Sequence, residues 1–213
     1  MAVIEEIRTV RSFVSIRLDR GDTVWLRRED LPGMNLAEGL EVDDDAFDQA
    51  VRVRQYPRAL DLAVAMLARR PCSKGEIRSR LKYRRYKDDV AELVVYKLEK
   101  EKFLDDEEFC RQWISFRQSR HFGPAAIGRE LRMKGVAQEL IDSAFSRPDF
   151  DCGEEEHALE IARKAWKRAS SGGDPGTARR KVIASVVRRG FSWETARKAC
   201  DLAEKQITDK ISE

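Results

Sequence analysis

The chain has 213 residues, 37% of them charged, and a net charge of only +3. A hydrophobic content of 42% is enough for a packed core and separates the chain from disordered sequences, while the charge load keeps much of it in water. The longest apolar run, residues 62–68, is far too short to span a bilayer, and Glu5 and Glu6 follow Met1 where a basic-then-apolar leader would lie, so a cytoplasmic protein without membrane contact is expected.

The first forty residues read as strands. Val14, Ile16 and Leu18 alternate with Ser15 and Arg17, the two-residue period of a half-buried strand. Asp19-Arg20-Gly21-Asp22 is turn chemistry, residues 23–27 read as the returning strand, and residues 3–10 supply another. An isolated hairpin is marginal in water, so this module must pack on itself or on the helical part of the chain. Pro32 and Gly33 break the chain, and Asp43-Asp44-Asp45 opens a helix expected to run to about residue 55, with carboxylates at its positive end.

From Pro57 onward the period is helical. Leu60, Ala63, Val64 and Leu67 recur at three and four, and Ser73 with Glu76 makes a capping box that opens a second helix to about residue 84. Asp89 with Glu92 has the same spacing and is expected to open a third helix, with Leu93, Val94 and Leu98 inward. The pattern then returns. Asp105 with Glu108 forms another such box, followed by Phe109, Trp113 and Phe116 on one face. Gly123-Pro124 places proline at a first helical position; Ile127 and Leu131 mark that helix, and Leu140, Ile141 and Ala144 the next. Leu81, Leu131 and Val186 occupy matching places 50 and 55 residues apart, and the exits that come after them are Arg85, Gly135 and Gly190, where glycine suits a left-handed cap. A third copy is longer by an insertion at residues 170–175, and its last helix opens at Ser192. Trp113, Trp166 and Trp193 are expected to pack between helices.

The expected fold is therefore mainly α: three tandem three-helix repeats in an elongated curved array, preceded by a small β-hairpin-containing module. The boundaries are residues 1–45 for the β-rich module, 46–56 for a linking helix, and 57–101, 102–150 and 151–213 for the repeats.

Charge is unevenly spread. Residues 57–98 carry 11 basic and 5 acidic side chains, against 8 and 12 in residues 1–56. Arg78, Arg80, Lys82, Arg84, Arg85 and Lys87 form a basic cluster; Arg78, Lys82 and Arg85 fall on one helical stripe, and Tyr83 and Tyr86 interleave it. Such a stripe suits phosphates or an acidic protein groove, or serves as a solvated face. Arg117 and Arg120 sit at the end of a helix, where cations complement its dipole or make a second contact. Arg179, Arg180, Lys181, Arg188 and Arg189 form a third basic set, which reads equally as a contact or as solubility.

The sequence carries no catalytic signature. Asp105-Asp106-Glu107-Glu108 is a dense carboxylate run, but four consecutive helical residues fan out around the axis, so capping explains it better than a metal. The cysteines Cys72, Cys110, Cys152 and Cys200 form no CxxC pair and read as reduced thiols rather than a zinc site. His121 and His157 have no identifiable nucleophile or acid beside them, and there is no phosphate loop or nucleophile elbow. No catalytic residue, cofactor or metal is expected.

Several stretches carry a resemblance. They are the Leu67-Ala68-Arg69-Arg70 exit, Phe103-Leu104-Asp105-Asp106-Glu107-Glu108-Phe109, and Gly123-Pro124 with Ile127, Glu130, Leu131, Lys134, Gly135 and Val136 after it. In their order and spacing the chain resembles the RecX family of regulators of the bacterial recombinase RecA, over about residues 57–200, with the middle repeat the most specific part. It departs from the family in having Arg85 where a glycine often sits and in the insertion of the third repeat. The resemblance implies a non-catalytic monomer that lies in the groove of the RecA–DNA nucleoprotein filament. There it modulates, and mostly inhibits, ATP hydrolysis, strand exchange and filament growth. Weak binding to single- or double-stranded DNA is also implied. The alternative is a stand-alone nucleic-acid-binding helical repeat protein.

Overall fold

The computed structural model describes residues 1–147, 153–169 and 174–211, with side chains of the last helix described to residue 207. The chain folds as two compact units, Met1–Asp105 and Asp106–Glu213. Among the described residues the architecture is four strands and then nine α-helices.

In the first unit, β1 (Ala2–Val10), β2 (Phe13–Leu18), β3 (Thr23–Arg27) and β4 (Glu41–Val42) form an antiparallel sheet in the order β3-β2-β1-β4. The alternation is realised as expected: Val14, Ile16 and Leu18 are buried with Val24, Leu26 and Ile4, and Val14 lies opposite Leu26 and Ile16 opposite Val24. The short β4 was not foreseen. It covers part of β1, pairing Ala2 with Val42. Phe47 and Val51 of the first helix close this small core.

That helix, α1 (Asp44–Leu67), corrects the expected division at Pro57, which lies inside a single continuous element. Asp43 caps it, its carboxylate accepting from the Ala46 N–H at 2.9 Å. An interior proline removes a backbone donor and costs about 3 kcal/mol. Here the buried face runs straight across it: Val51 and Gln55 precede Pro57, Ala59 and Ala63 come after it, all four residues apart. Val51 packs in the sheet core and Ala59 and Ala63 in the helical core, so both halves are held in register from outside.

Gln55 fastens the sheet to the helices. Its side chain is buried, donates to the Trp25 carbonyl at 2.7 Å and accepts from the Lys87 N–H at 2.9 Å. The second half of α1 packs with α2 (Lys74–Tyr83) and α3 (Asp88–Lys100) around Ile77, Leu81, Val90, Val94 and Leu98. The Ser73–Glu76 capping box is complete in both directions, at 3.0 and 3.2 Å. The box expected at Asp89 and Glu92 does not form. Lys87 occupies the N-cap without a side-chain bond, because the Asp89 carboxylate is taken by Arg52 and the Val90 N–H, and Glu92 by Arg78. Leu93 points outward, while Val94 and Leu98 are buried as expected.

The second unit contains α4 (Asp106–Gln118), α5 (Pro124–Met133), α6 (Gln138–Phe145), α7 (Glu154–Ala169), α8 (Pro175–Arg188) and α9 (Trp193–Ile211). Phe109, Ile114, Ile127, Leu131 and Ile141 form one core; Ile161, Trp166, Val182, Val186 and Phe191 belong to another. Pro124 and Pro175 stand in the first turns of α5 and α8, and Asp174 and Ser192 cap α8 and α9 as their sequence positions suggest. Residues 170–173 of the expected insertion, and Cys152, lie outside the described residues; Cys72, Cys110 and Cys200 are buried thiols outside any disulfide. Trp166 is buried and Trp113 stacks on Phe109, but Trp193 is 62% exposed, because the buried stripe of α9 begins one turn later at Ala196.

The three exits all adopt positive φ: 65° at Arg85, 72° at Gly135 and 92° at Gly190. The residue after each of the first two returns its N–H to the buried leucine, Tyr86 to Leu81 at 3.2 Å and Val136 to Leu131 at 3.1 Å, the hydrogen bond that satisfies a helix-end carbonyl. At the third exit the backbone instead meets the start of α5. The Gly123 N–H donates to the Arg189 carbonyl at 2.8 Å and the Ala125 N–H to the Gly190 carbonyl at 3.1 Å.

Candidate anion-binding site

That junction brings the end of α4 beside α7 and α8. On α7, Lys164 and Arg168 are four residues apart; on α8, Lys181, Ser185 and Arg188 recur at four and three, so each helix turns one cationic stripe to the same side. Arg189 at the α8 exit and Arg120 at the end of α4 complete the rim of a cleft of about 590 Å³. Small Ala165 and Ser185 leave the space open between the long side chains, and Ile161 forms part of its wall.

Among the described residues no carboxylate lines this cleft. Among the described residues, Arg120, Arg168, Lys181, Arg188 and Arg189 form no ion pair, and Lys164 has only Glu160 at 3.8 Å. Arg189 is oriented by donating to the Arg120 carbonyl at 3.1 Å and by lying 4.7 Å from the Phe122 ring centre. Gathering like charges in a concavity with low-dielectric walls raises the local positive potential and makes the site one for anions.

The other expected contact residues have different surroundings. Arg78 is held bidentately by Glu92 at 2.6 and 2.8 Å, Lys82 lies 3.2 Å from Asp88, and Lys87 lies 2.7 Å from Asp48. Arg85 is stacked 3.7 Å over Trp25, and Arg80 lies over the Tyr83 ring, which is 75% exposed. Arg84 and Tyr86 line a smaller crevice of about 270 Å³ with Arg27 and Arg58. In the second unit, Arg117 is half-buried, paired with Glu130 and 3.6 Å from the Phe122 ring centre. Arg179 is paired with Asp201 and with Glu204, and Arg180 reaches Thr177. Of the contact residues singled out from sequence, the structure thus brings together Arg120, Lys181, Arg188 and Arg189. Lys164 and Arg168 were missed. Their four-residue spacing was visible, but which helix they would face was not.

His121, which lines the cleft, meets His157 edge to face, ring centres 4.8 Å apart. His121 holds a left-handed φ of 57° and its Nδ1 is buried without a hydrogen-bond partner. Burial, then His157 and Lys164, with Arg189 adding and Glu160 opposing, hold its pKa below the usual imidazole value. Among the described residues there is no cluster of three or more metal-binding side chains, and no helix is long and apolar enough to cross a membrane.

Residues 105–144 match the model of the RecX second three-helix domain, and residues 153–200 that of the RecX third three-helix domain. The chain is 31% identical over 168 residues to the regulatory protein RecX of Mycolicibacterium smegmatis, covering 75% of this chain and 86% of that one. It is 32% identical over 161 residues to that of Mycolicibacterium vanbaalenii, covering 72% and 85%. A crystal structure of a regulatory protein RecX superposes with a TM-score of 0.61 at 21% identity, covering 94% of this chain and all of that one; RecX from Lactobacillus salivarius gives 0.61 at 17%, covering 70% and 96%. These two structures share its fold.

Proposed function

This chain belongs to the RecX family, and from that premise we propose that it is a non-catalytic regulator that binds the RecA–DNA filament, with the cleft between α7 and α8 as a principal contact. The observation that carries this reading is the set of cations in the cleft that, among the described residues, have no carboxylate partner apart from Glu160, 3.8 Å from Lys164. Most other candidate cations are already neutralised by neighbours in their own unit, so an incoming anion gains little there. Phosphates of filament-bound DNA fit the cleft because several cations converge on one path, releasing counterions when the strand enters.

A regulator shifts a filament only if it binds one of its states better than another; equal affinity for both changes nothing. Occupying DNA phosphates or blocking an incoming strand would restrain ATP hydrolysis, strand exchange and filament growth. The exposed residues Arg80, Tyr83 and Arg84 of the first unit offer an additional contact. The protein acts in this reading as a cytoplasmic monomer.

The test is DNA-dependent ATP hydrolysis by the recombinase, titrated with this protein and with its K181E/R188E variant. The rate is expected to fall at substoichiometric amounts of the native protein and to remain high with the variant. An unchanged rate across the native titration would remove the reading. A stand-alone nucleic-acid binder is the second reading, since the same cations suit bare strands. Binding to naked oligonucleotide that persists undiminished at physiological salt, with no effect on the recombinase, would favour it.

A further inference from the structure

The chain contains two histidines; His121 lines the cationic cleft and His157 packs against its ring. Resting on the cleft as the anion site, we propose that it takes up a proton together with its polyanionic ligand, and that His121 receives that proton.

The groups around His121 set the direction of this coupling. From α7 it is faced by His157, Glu160 and Lys164, and from the α8 exit by Arg189; Arg120 adjoins it on its own segment. Glu160, the one acid in this set, is already engaged by Arg163 at 3.0 Å and Lys164 at 3.8 Å. Partial burial and the surrounding cations therefore disfavour a charged imidazole and hold His121 below its ordinary pKa. A bound phosphate chain reverses the local balance. Its negative charge offsets Lys164 and Arg189, and the imidazolium becomes favourable. The Nδ1 of His121 has no hydrogen-bond partner, which leaves a lone pair on that ring free to take up a proton.

Few other groups obscure this effect. The terminal amine is held above its ordinary value by Asp44, and burial raises the thiols of Cys110 and Cys200, the latter to about 11. Lysines and arginines keep their charge throughout the imidazole range. Affinity is therefore expected to rise as pH falls from about 8 to about 6, by up to about tenfold per unit, the limit for one linked proton.

The experiment is calorimetric titration of the full chain with a short oligothymidylate at constant ionic strength across that range, repeated in buffers of different ionisation enthalpy. Tighter binding at lower pH with uptake of up to about one proton is the expected result. The H121Q/H157Q variant should lose the pH dependence. An affinity of the native protein that does not change with pH, or a dependence that survives in a folded double variant, overturns the proton step. A K181E/R188E variant measured at the alkaline end tests the cleft separately. If it binds as tightly as the native protein, or if the native protein binds at no pH, the cleft reading falls and the proton step with it.

Discussion

Gly123 and Gly190 meet backbone to backbone: a Cβ on Gly123 would stand 2.6 Å from the carbonyl carbon and oxygen of Gly190, and one on Gly190 would fall on Ala126. This close approach is what lets the start of α5 donate to the end of α8 and so sets Arg120 beside Arg189. Neither neighbour can yield cheaply, since the obstructing atoms at Gly123 are main chain and Gly190 also needs a φ of 92°. Gly123→Ala and Gly190→Ala are each expected to cost about 2 kcal/mol or more, from overpacking and, at Gly190, left-handed strain. Urea unfolding monitored by circular dichroism measures this. Midpoints within error of the native protein would contradict the contact.

Gln55 offers a second test, of how the sheet is fastened to the helices. Its amide bridges the Trp25 carbonyl and the Lys87 N–H from a site only 3% exposed. Gln55→Leu keeps the volume but strands both backbone groups, and each unsatisfied group costs about 1–3 kcal/mol. A loss of about 2–4 kcal/mol is expected, with faster amide exchange at Lys87.

Arg85 sets two effects against each other. Its φ of 65° carries a penalty of about 1–2 kcal/mol for a side chain with a Cβ. Its stacking on Trp25 at 3.7 Å is worth about 0.5–1 kcal/mol at an exposed position. Arg85→Ala keeps the strain and loses the stack, so it should be less stable than the native protein. Arg85→Gly loses both and should match or slightly exceed it. If the alanine variant is the more stable of the two, the left-handed exit is wrong.

These positions also show what sequence could reveal. The Ser73–Glu76 box and the shared offset of Arg85, Gly135 and Gly190 are local patterns, satisfied by backbone within a few residues, and they read directly. Asp89 and Glu92 had the spacing of a box, but Arg52 on α1 and Arg78 on α2 claimed their carboxylates. Pro57 looked like a boundary because its own chemistry disfavours helix, while the face that overrides it is shared by two separate cores. The cleft was half legible for the same reason. Lys181 and Arg188 announced a cationic stripe on α8; that α7 would bring Lys164 and Arg168 to the same space is a tertiary fact.

The distinction between free and paired cations gives a last prediction, in the salt dependence of oligonucleotide binding. For single strands, log K falls with log salt at about 0.7 per phosphate neutralised. Removing Lys181 and Arg188 as alanines should flatten the slope by about 1.4 and weaken binding alike for all sequences. Arg179→Ala is the control, since that guanidinium lies in the same helix but is held by Asp201 and Glu204. It removes positive charge from α8 without removing it from the cleft, so the slope should not change. Equal flattening by Arg179→Ala and Lys181→Ala would mean that the strand responds to the overall charge of the helix, and the cleft would lose its claim to be the site.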